Sequence, residues 1–227
     1  TLNRATDTTR QPGSTFKILA AYSAALDAGG LTLASVQDDA PYTYAGANGK
    51  SVNNYDRRYR GFTTLREAIT DSINIVTVKT LAQAGVSLGW QYVQEYGFTT
   101  VDSRDMNEAL ALGGITQGVS NLELTAAYAA IANQGTYIKP KFYTKILDHD
   151  GNVLIDNTTP ESHTVIKDTT AWLLTSAMED VMTSGTGTSA YFGSSMAQAG
   201  KSGTTTSSRD ALFAGYTPYY LSLIHIS

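Results

Sequence analysis

"RQPGSTFK", Arg10–Lys17, is the stretch on which the reading of this sequence turns. Pro12 and Gly13 suit a turn, Ser14 opens an apolar segment, and Lys17 lies three residues further on. From Ser14 the chain runs "STFKILAAYSAAL". Phe16, Leu19, Ser23 and Leu26 recur at three- and four-residue spacing among small alanines, which predicts a helix over residues 14–26, ended by Gly29 and Gly30. A helix so rich in alanine packs closely against its neighbours and is expected at the centre of the fold. Residues three apart share a helix face, which leaves two readings open. Ser14 can be a helix cap with an ordinary lysine nearby, or a nucleophile with its base one turn below. In the second reading the helix N-terminus supplies N–H groups for an oxyanion. An ammonium beside another cation and out of water would lose enough basicity to take a proton from Ser14.

Composition narrows the chemistry. The chain has 227 residues, 42% hydrophobic and 16% charged, with a net charge of −4, enough for one domain, or one large and one small. No basic block suggests a nucleic-acid surface. There is no cysteine, so disulfides and thiolate chemistry are excluded. His149, His163 and His225 are too scattered for a metal site or a Ser–His–Asp triad. A serine enzyme built from this chain needs a base other than histidine. No run of 18 apolar residues and no signal peptide are present, and residue 1 is threonine. The chain reads as a fragment, so the missing leader says nothing about location. "LSLIHIS", Leu221–Ser227, reads as readily as a translated library adapter as it does as protein, and the domain is expected over residues 1–220.

Further along, residues 38–62 read as a polar, aromatic-studded loop. A short helix is expected over 64–70, an interruption "DSIN" at 71–74, and a second helix over 75–84. Helices are also expected over 88–96, 122–133 and 169–182, with Ser120 and Glu123 as a capping box for the second of these. Lys141–Ile155 reads as a hairpin turning at "DHDGN", and late strands are expected near 201–205 and over 211–216. A helical middle, late strands and no βαβ repeat indicate an α+β fold.

Two more short segments carry chemistry. Ser72-x-Asn74 interrupts two helix patterns; it is either a polar helix junction or a proton relay beside an amide that holds substrate. Lys201-Ser202-Gly203-Thr204 brings a cation, hydroxyls and a glycine to a strand. It is either a glycine-bearing edge strand or a carboxylate holder at which Gly203 lets a substrate backbone approach. A phosphate loop is the nearest competitor to the latter, but it needs glycine where Ser195 stands and a preceding strand.

Taken in order, STFK, SIN and KSG match the set S-x-x-K, S-D-N, K-T-G. With their flanks, "RQPGSTFK" and "AGKSGTTTSSRDALFAGYTP", and with "GGITQGVSNLELTAAYAAIANQGTYIKP" at Gly113–Pro140, they resemble the transpeptidase domain of bifunctional, class A penicillin-binding proteins over about residues 1–220. The resemblance implies a β-lactamase/transpeptidase-like fold, helices packed on an antiparallel sheet. It also implies that strands before Ser14, and a strand and helix after "GYTP", are missing.

By that resemblance Ser14 is the nucleophile on a D-alanyl-D-alanine stem peptide, and Lys17 its general base. Ser72 passes the proton onward, Lys201 supports it electrostatically, and Asn74 binds the substrate's amide. Ser202, Gly203 and Thr204 line the carboxylate site, and the N–H groups of Ser14 and Thr204 form the oxyanion hole. The implied partners are peptidoglycan stem peptides, β-lactams and the wall-synthesis machinery. The implied place is the outer face of the bacterial cytoplasmic membrane, with the anchor and a glycosyltransferase domain outside this chain. No cofactor or metal is implied. Ile73 stands where the set has aspartate, and Ser202 where it has threonine. A carboxypeptidase, a β-lactamase or a non-catalytic β-lactam sensor shares the motif set; for β-lactamase action a deacylating base is needed, and Asp38, Asp39, Asp56 and Glu67 lie in the right stretch without one being marked.

Overall fold

The computed structural model describes residues 2–45, 49–205 and 209–226. It is an α+β fold in which helices surround the Ser14 segment and a three-stranded antiparallel sheet closes one side. The Ser14 helix is not uniform. It begins as a tight 3₁₀ turn at Gly13–Thr15, passes through a π-helical turn at Ile18–Tyr22, and ends as α-helix at Ser23–Asp27. The hydroxyl of Ser23 donates to the carbonyl of Ile18, five residues back, at 2.9 Å, which supports the wide turn. Phe16, Ile18, Leu19 and Tyr22 are wholly buried, each worth about 1.5–3 kcal/mol of burial. A helix apolar all round belongs inside a protein, and this one is the central rod expected from its alanines.

Around it pack the helices Leu65–Thr70, Asn74–Ala84, Val86–Glu95, Asn121–Ala132 and Asp168–Thr183. The capping box expected at Ser120 and Glu123 is formed, and Thr64 with Glu67 makes another. The segment 38–62 is less of a loop than expected. Val36–Asp39 pairs with Gly61–Thr64, and Tyr42–Thr43 with Ser51–Val52. The expected hairpin is shorter, Lys145–Leu147 against Val153–Asp156. A further pair, Thr136–Ile138 with Ser162–Thr164, was not foreseen because its partners lie far apart in sequence.

The sheet is Ala199–Thr204, Ala211–Tyr216 and Leu221–Ile226, with Lys201 opposite Ala214 and Ala214 opposite Leu223. A strand therefore does follow "GYTP". It is made by Leu221–Ile226, the residues set apart as a tail, which pair with Ala211–Tyr216. Ala199–Thr204, the motif strand, lies against both the Ser14 helix and the helix Asp168–Thr183.

Candidate active site

Two glycines allow the motif strand to reach the Ser14 helix. Gly13 has φ +54°, and a Cβ there would stand 2.8 Å from the carbonyl oxygen of Thr204. A Cβ on Gly203 would stand 2.8 Å from Thr15 Cγ2 and 2.9 Å from the carbonyl oxygen of Pro12. The backbone that approaches Gly203 is thus that of the Ser14 helix, where the sequence reading had placed a substrate. Ser14, half-buried, stands at this junction, and its hydroxyl has no hydrogen-bond partner among the described residues.

The second motif is placed by a helix end. The N–H groups of Ser72 and Ile73 donate back to the carbonyls of Ile69 and Ala68 at 3.2 and 2.9 Å, closing the helix Leu65–Thr70. Ser72 takes φ +56°, a left-handed conformation that costs a non-glycine residue about 1–2 kcal/mol. Ile73 is 2% exposed and points into the core. An apolar side chain at the middle position thus serves as the anchor that turns Ser72 and Asn74 toward the lysines.

Lys17 and Lys201 are both fully buried. The Lys17 ammonium donates to the Ser72 carbonyl at 2.5 Å, to Ser72 Oγ at 3.1 Å and to Asn74 Oδ1 at 2.6 Å. Lys201 Nζ donates to Ser72 Oγ at 2.8 Å and to the carbonyl of its neighbour Ser202 at 3.0 Å. Neither has a carboxylate ion-pair partner among the described residues. Burial, reinforced by the charge of Lys201, holds the Lys17 amine well below the ordinary lysine value. Burial brings Lys201 down to about 7. A neutral Lys17 amine has a free lone pair, so its contact with Ser72 Oγ can run in the opposite direction, the hydroxyl donating. One hydroxyl between two amines of lowered basicity can pass a proton between them.

Lys17 is held by Ser72 and Asn74 and makes no hydrogen bond to Ser14, although the i, i+3 spacing suggested a direct pair. The acceptors that draw it away lie on another element. The Asn74 amide is engaged at both ends, Oδ1 by Lys17 and Nδ2 on the Asn53 carbonyl at 2.7 Å. Ser202 Oγ lies 2.7 Å from Thr186 Oγ1, and Thr204 is exposed.

Sequence reasoning missed the supports. Asn54, 4% exposed, accepts from the N–H groups of Asn74 and Ile75 at 3.1 and 3.2 Å, capping the helix that carries Asn74. Its amide donates to the wholly buried Asp39 carboxylate at 2.8 and 2.9 Å. Thr186 reaches the site from the turn after the helix Asp168–Thr183, its N–H donating to the Thr70 carbonyl at 3.3 Å. Of the nominated carboxylates, Asp39 is sealed by Asn54, Asp56 pairs with Arg60 at 3.0 Å, and Glu67 completes the Thr64 capping box. Asp38 lies on the strand Val36–Asp39, where its carbonyl accepts from Lys79.

The arrangement has relatives. The family described as penicillin binding protein transpeptidase domain matches residues 1–222. The chain is 39% identical over 215 residues to penicillin-binding protein 1F of Bacillus subtilis, covering 92% of this chain and 29% of that protein. Penicillin-binding protein 1A of Neisseria flavescens is 35% identical over 238 residues, covering 100% of this chain and again 29% of the relative. Among solved structures, that of penicillin-binding protein 1A from Haemophilus influenzae superposes with a TM-score of 0.82 at 29% identity, over 95% of this chain and 37% of that one. The chain thus spans under a third of the length of these curated relatives. With the profile matching from the first residue through the motif strand, and with SxxK, SxN and KSG meeting at Ser72, the chain belongs to the penicillin-binding protein transpeptidase domain family.

Proposed function

We propose that this domain is a D,D-transpeptidase that cross-links peptidoglycan stem peptides through an acyl-serine, and that β-lactams acylate the same serine. The single observation that carries this reading is the placement of Ser72 Oγ between Lys17 Nζ and Lys201 Nζ. In this account neutral Lys17 takes the proton of Ser14 as Oγ bonds to the penultimate D-alanyl carbonyl carbon. The oxyanion rests on the N–H groups of Ser14 and Thr204. As the C–N bond breaks, the proton passes through Ser72 to the leaving amine, and D-alanine departs. The acceptor amine then attacks the acyl carbon and loses its proton by the reverse route, and Ser14 regains its hydroxyl proton.

Lys201 acts as the charged neighbour that keeps Lys17 neutral. Asn74 acts chiefly by holding Lys17, with one N–H left for a substrate amide. Ser202 and Thr204, with Gly203 keeping the strand close, receive the terminal carboxylate. Transfer is favoured over β-lactam hydrolysis because three of the four nominated carboxylates, Asp39, Asp56 and Glu67, are committed elsewhere. In the longer polypeptide we place this domain at the outer face of the cytoplasmic membrane, working with the wall-synthesis machinery and an attached glycosyltransferase domain. The small share of the relatives' length that this chain covers leaves room for both an anchor and a further domain. Among the described residues no helix is long and apolar enough to cross a membrane.

A stem pentapeptide incubated with and without an amine acceptor tests the reading. D-alanine release accompanied by a cross-linked product is expected. Hydrolysis alone, unaffected by the acceptor, points to a carboxypeptidase and overturns transfer.

A further inference from the structure

Away from Ser14 a cleft of about 390 Å³ opens where the helices Asn121–Ala132 and Asp168–Thr183 meet the turn joining the last two strands. That size suits a ligand of a few side chains. Its lining includes Ala132, Ala199 and the turn Thr217-Pro218-Tyr219-Tyr220. The turn holds itself: Thr217 Oγ1 accepts from the N–H groups of both Tyr219 and Tyr220 at 3.2 Å, and the Thr217 N–H donates to the Tyr220 carbonyl at 2.8 Å. The rings of Tyr219 and Tyr220 are therefore presented on a braced loop while staying 74% and 82% exposed. Glu179 lines the same cleft, half-buried and without an ion-pair partner among the described residues. Tyr216, beside it, has its hydroxyl 2.7 Å from Thr175 Oγ1 and makes no hydrogen bond to the carboxylate.

A cleft lined by one carboxylate, three tyrosines and several alanines is complementary to a planar cation. Guanidinium stacks on aromatic faces, sheds water more readily than ammonium, and pairs with a carboxylate through a fork of N–H groups. We infer that this cleft binds an arginine side chain presented by an extended peptide of a partner protein, with its guanidinium on Glu179 and against a tyrosine ring of the turn. The site lies at the start of the motif strand, whose Ala199 lines the cleft and whose Lys201 follows two residues on. The inference is independent of the transpeptidase reading.

The test is an amide NMR titration of the whole chain with the blocked peptide Ac-Gly-Arg-Gly-NH2 and its citrulline counterpart. Saturable shifts confined to Glu179, Ala199 and residues 216–221 are expected with arginine, and binding at least fivefold weaker with citrulline. Glu179→Gln should weaken arginine binding to the citrulline level, and Tyr219→Ala, at an exposed position, should weaken it while leaving the rest of the spectrum unchanged. Shifts scattered over the surface, equal binding of the two peptides, or undiminished binding by both variants would overturn the proposal.

Discussion

Lys17 and Lys201 share one acceptor: Ser72 Oγ lies 3.1 Å from the first amine and 2.8 Å from the second, with no carboxylate pairing either lysine among the described residues. Two ammonium groups on one buried hydroxyl repel each other, so the pair titrates as a unit. Acylation by a β-lactam should follow a bell-shaped pH profile. It rises as Lys17, whose value burial and Lys201 both lower, becomes neutral, and falls as Lys201 loses its charge at about 7. In Lys201→Gln the alkaline limb should vanish. The acid limb should move to higher pH, because the positive charge that depresses Lys17 is gone. An acid limb that stays in place in the variant would contradict the coupling.

Ser72 combines an unfavourable backbone with a central hydroxyl. Ser72→Ala and Ser72→Gly both remove Oγ, and each should lower the acylation rate by about 10²–10⁴-fold. They should differ in stability. Glycine accepts φ +56° freely, so the glycine variant should be about 1 kcal/mol more stable than the alanine variant in denaturant titration. Equal stability would show that the left-handed turn carries no strain.

Gly203 lets the motif strand touch the Ser14 helix. A Cβ at 2.8 Å from Thr15 Cγ2 and 2.9 Å from the Pro12 carbonyl has no room unless the strand withdraws. Gly203→Ala should cost about 1–3 kcal/mol of stability. It should slow acylation by about 10²-fold through displacement of the Thr204 N–H. A variant that acylates at the parent rate would remove Gly203 from the positioning account.

Asn54 ties the loop segment to the helix of Asn74. Asn54→Ala leaves the buried Asp39 carboxylate short of its donor and uncaps Asn74 and Ile75. A loss of about 2–4 kcal/mol is expected from the denaturant midpoint. The same measurement on Asp56→Ala, at the exposed pair with Arg60, should show less than about 1 kcal/mol.

Much of the site was legible because its signals are short. The Ser14–Lys17 spacing, the break in helix pattern at Ser72 and the strand start at Lys201 each lie within four residues, and their order identifies the family. The Ser120–Glu123 cap was legible for the same reason. What was not legible depends on contacts across the chain. Asn54 reaches Asn74 over 20 residues and Ser202 meets Thr186 over 16, and neither partner is marked by local pattern. The direct Ser14–Lys17 pair suggested by helix spacing gave way to the acceptors on Ser72 and Asn74. Leu221–Ile226 was set apart because "LSLIHIS" reads as readily as a translated adapter as it does as protein, and its pairing with Ala211–Tyr216 is a contact that local pattern does not mark.

The central claim is that Ser14 is the acylated residue. Trypsin cuts after Arg10 and Lys17, releasing "QPGSTFK". After reaction with a labelled penicillin, mass spectrometry should find the adduct on that peptide at Ser14, and Ser14→Ala should carry none. Label on any other peptide, or undiminished labelling of the variant, would contradict the account.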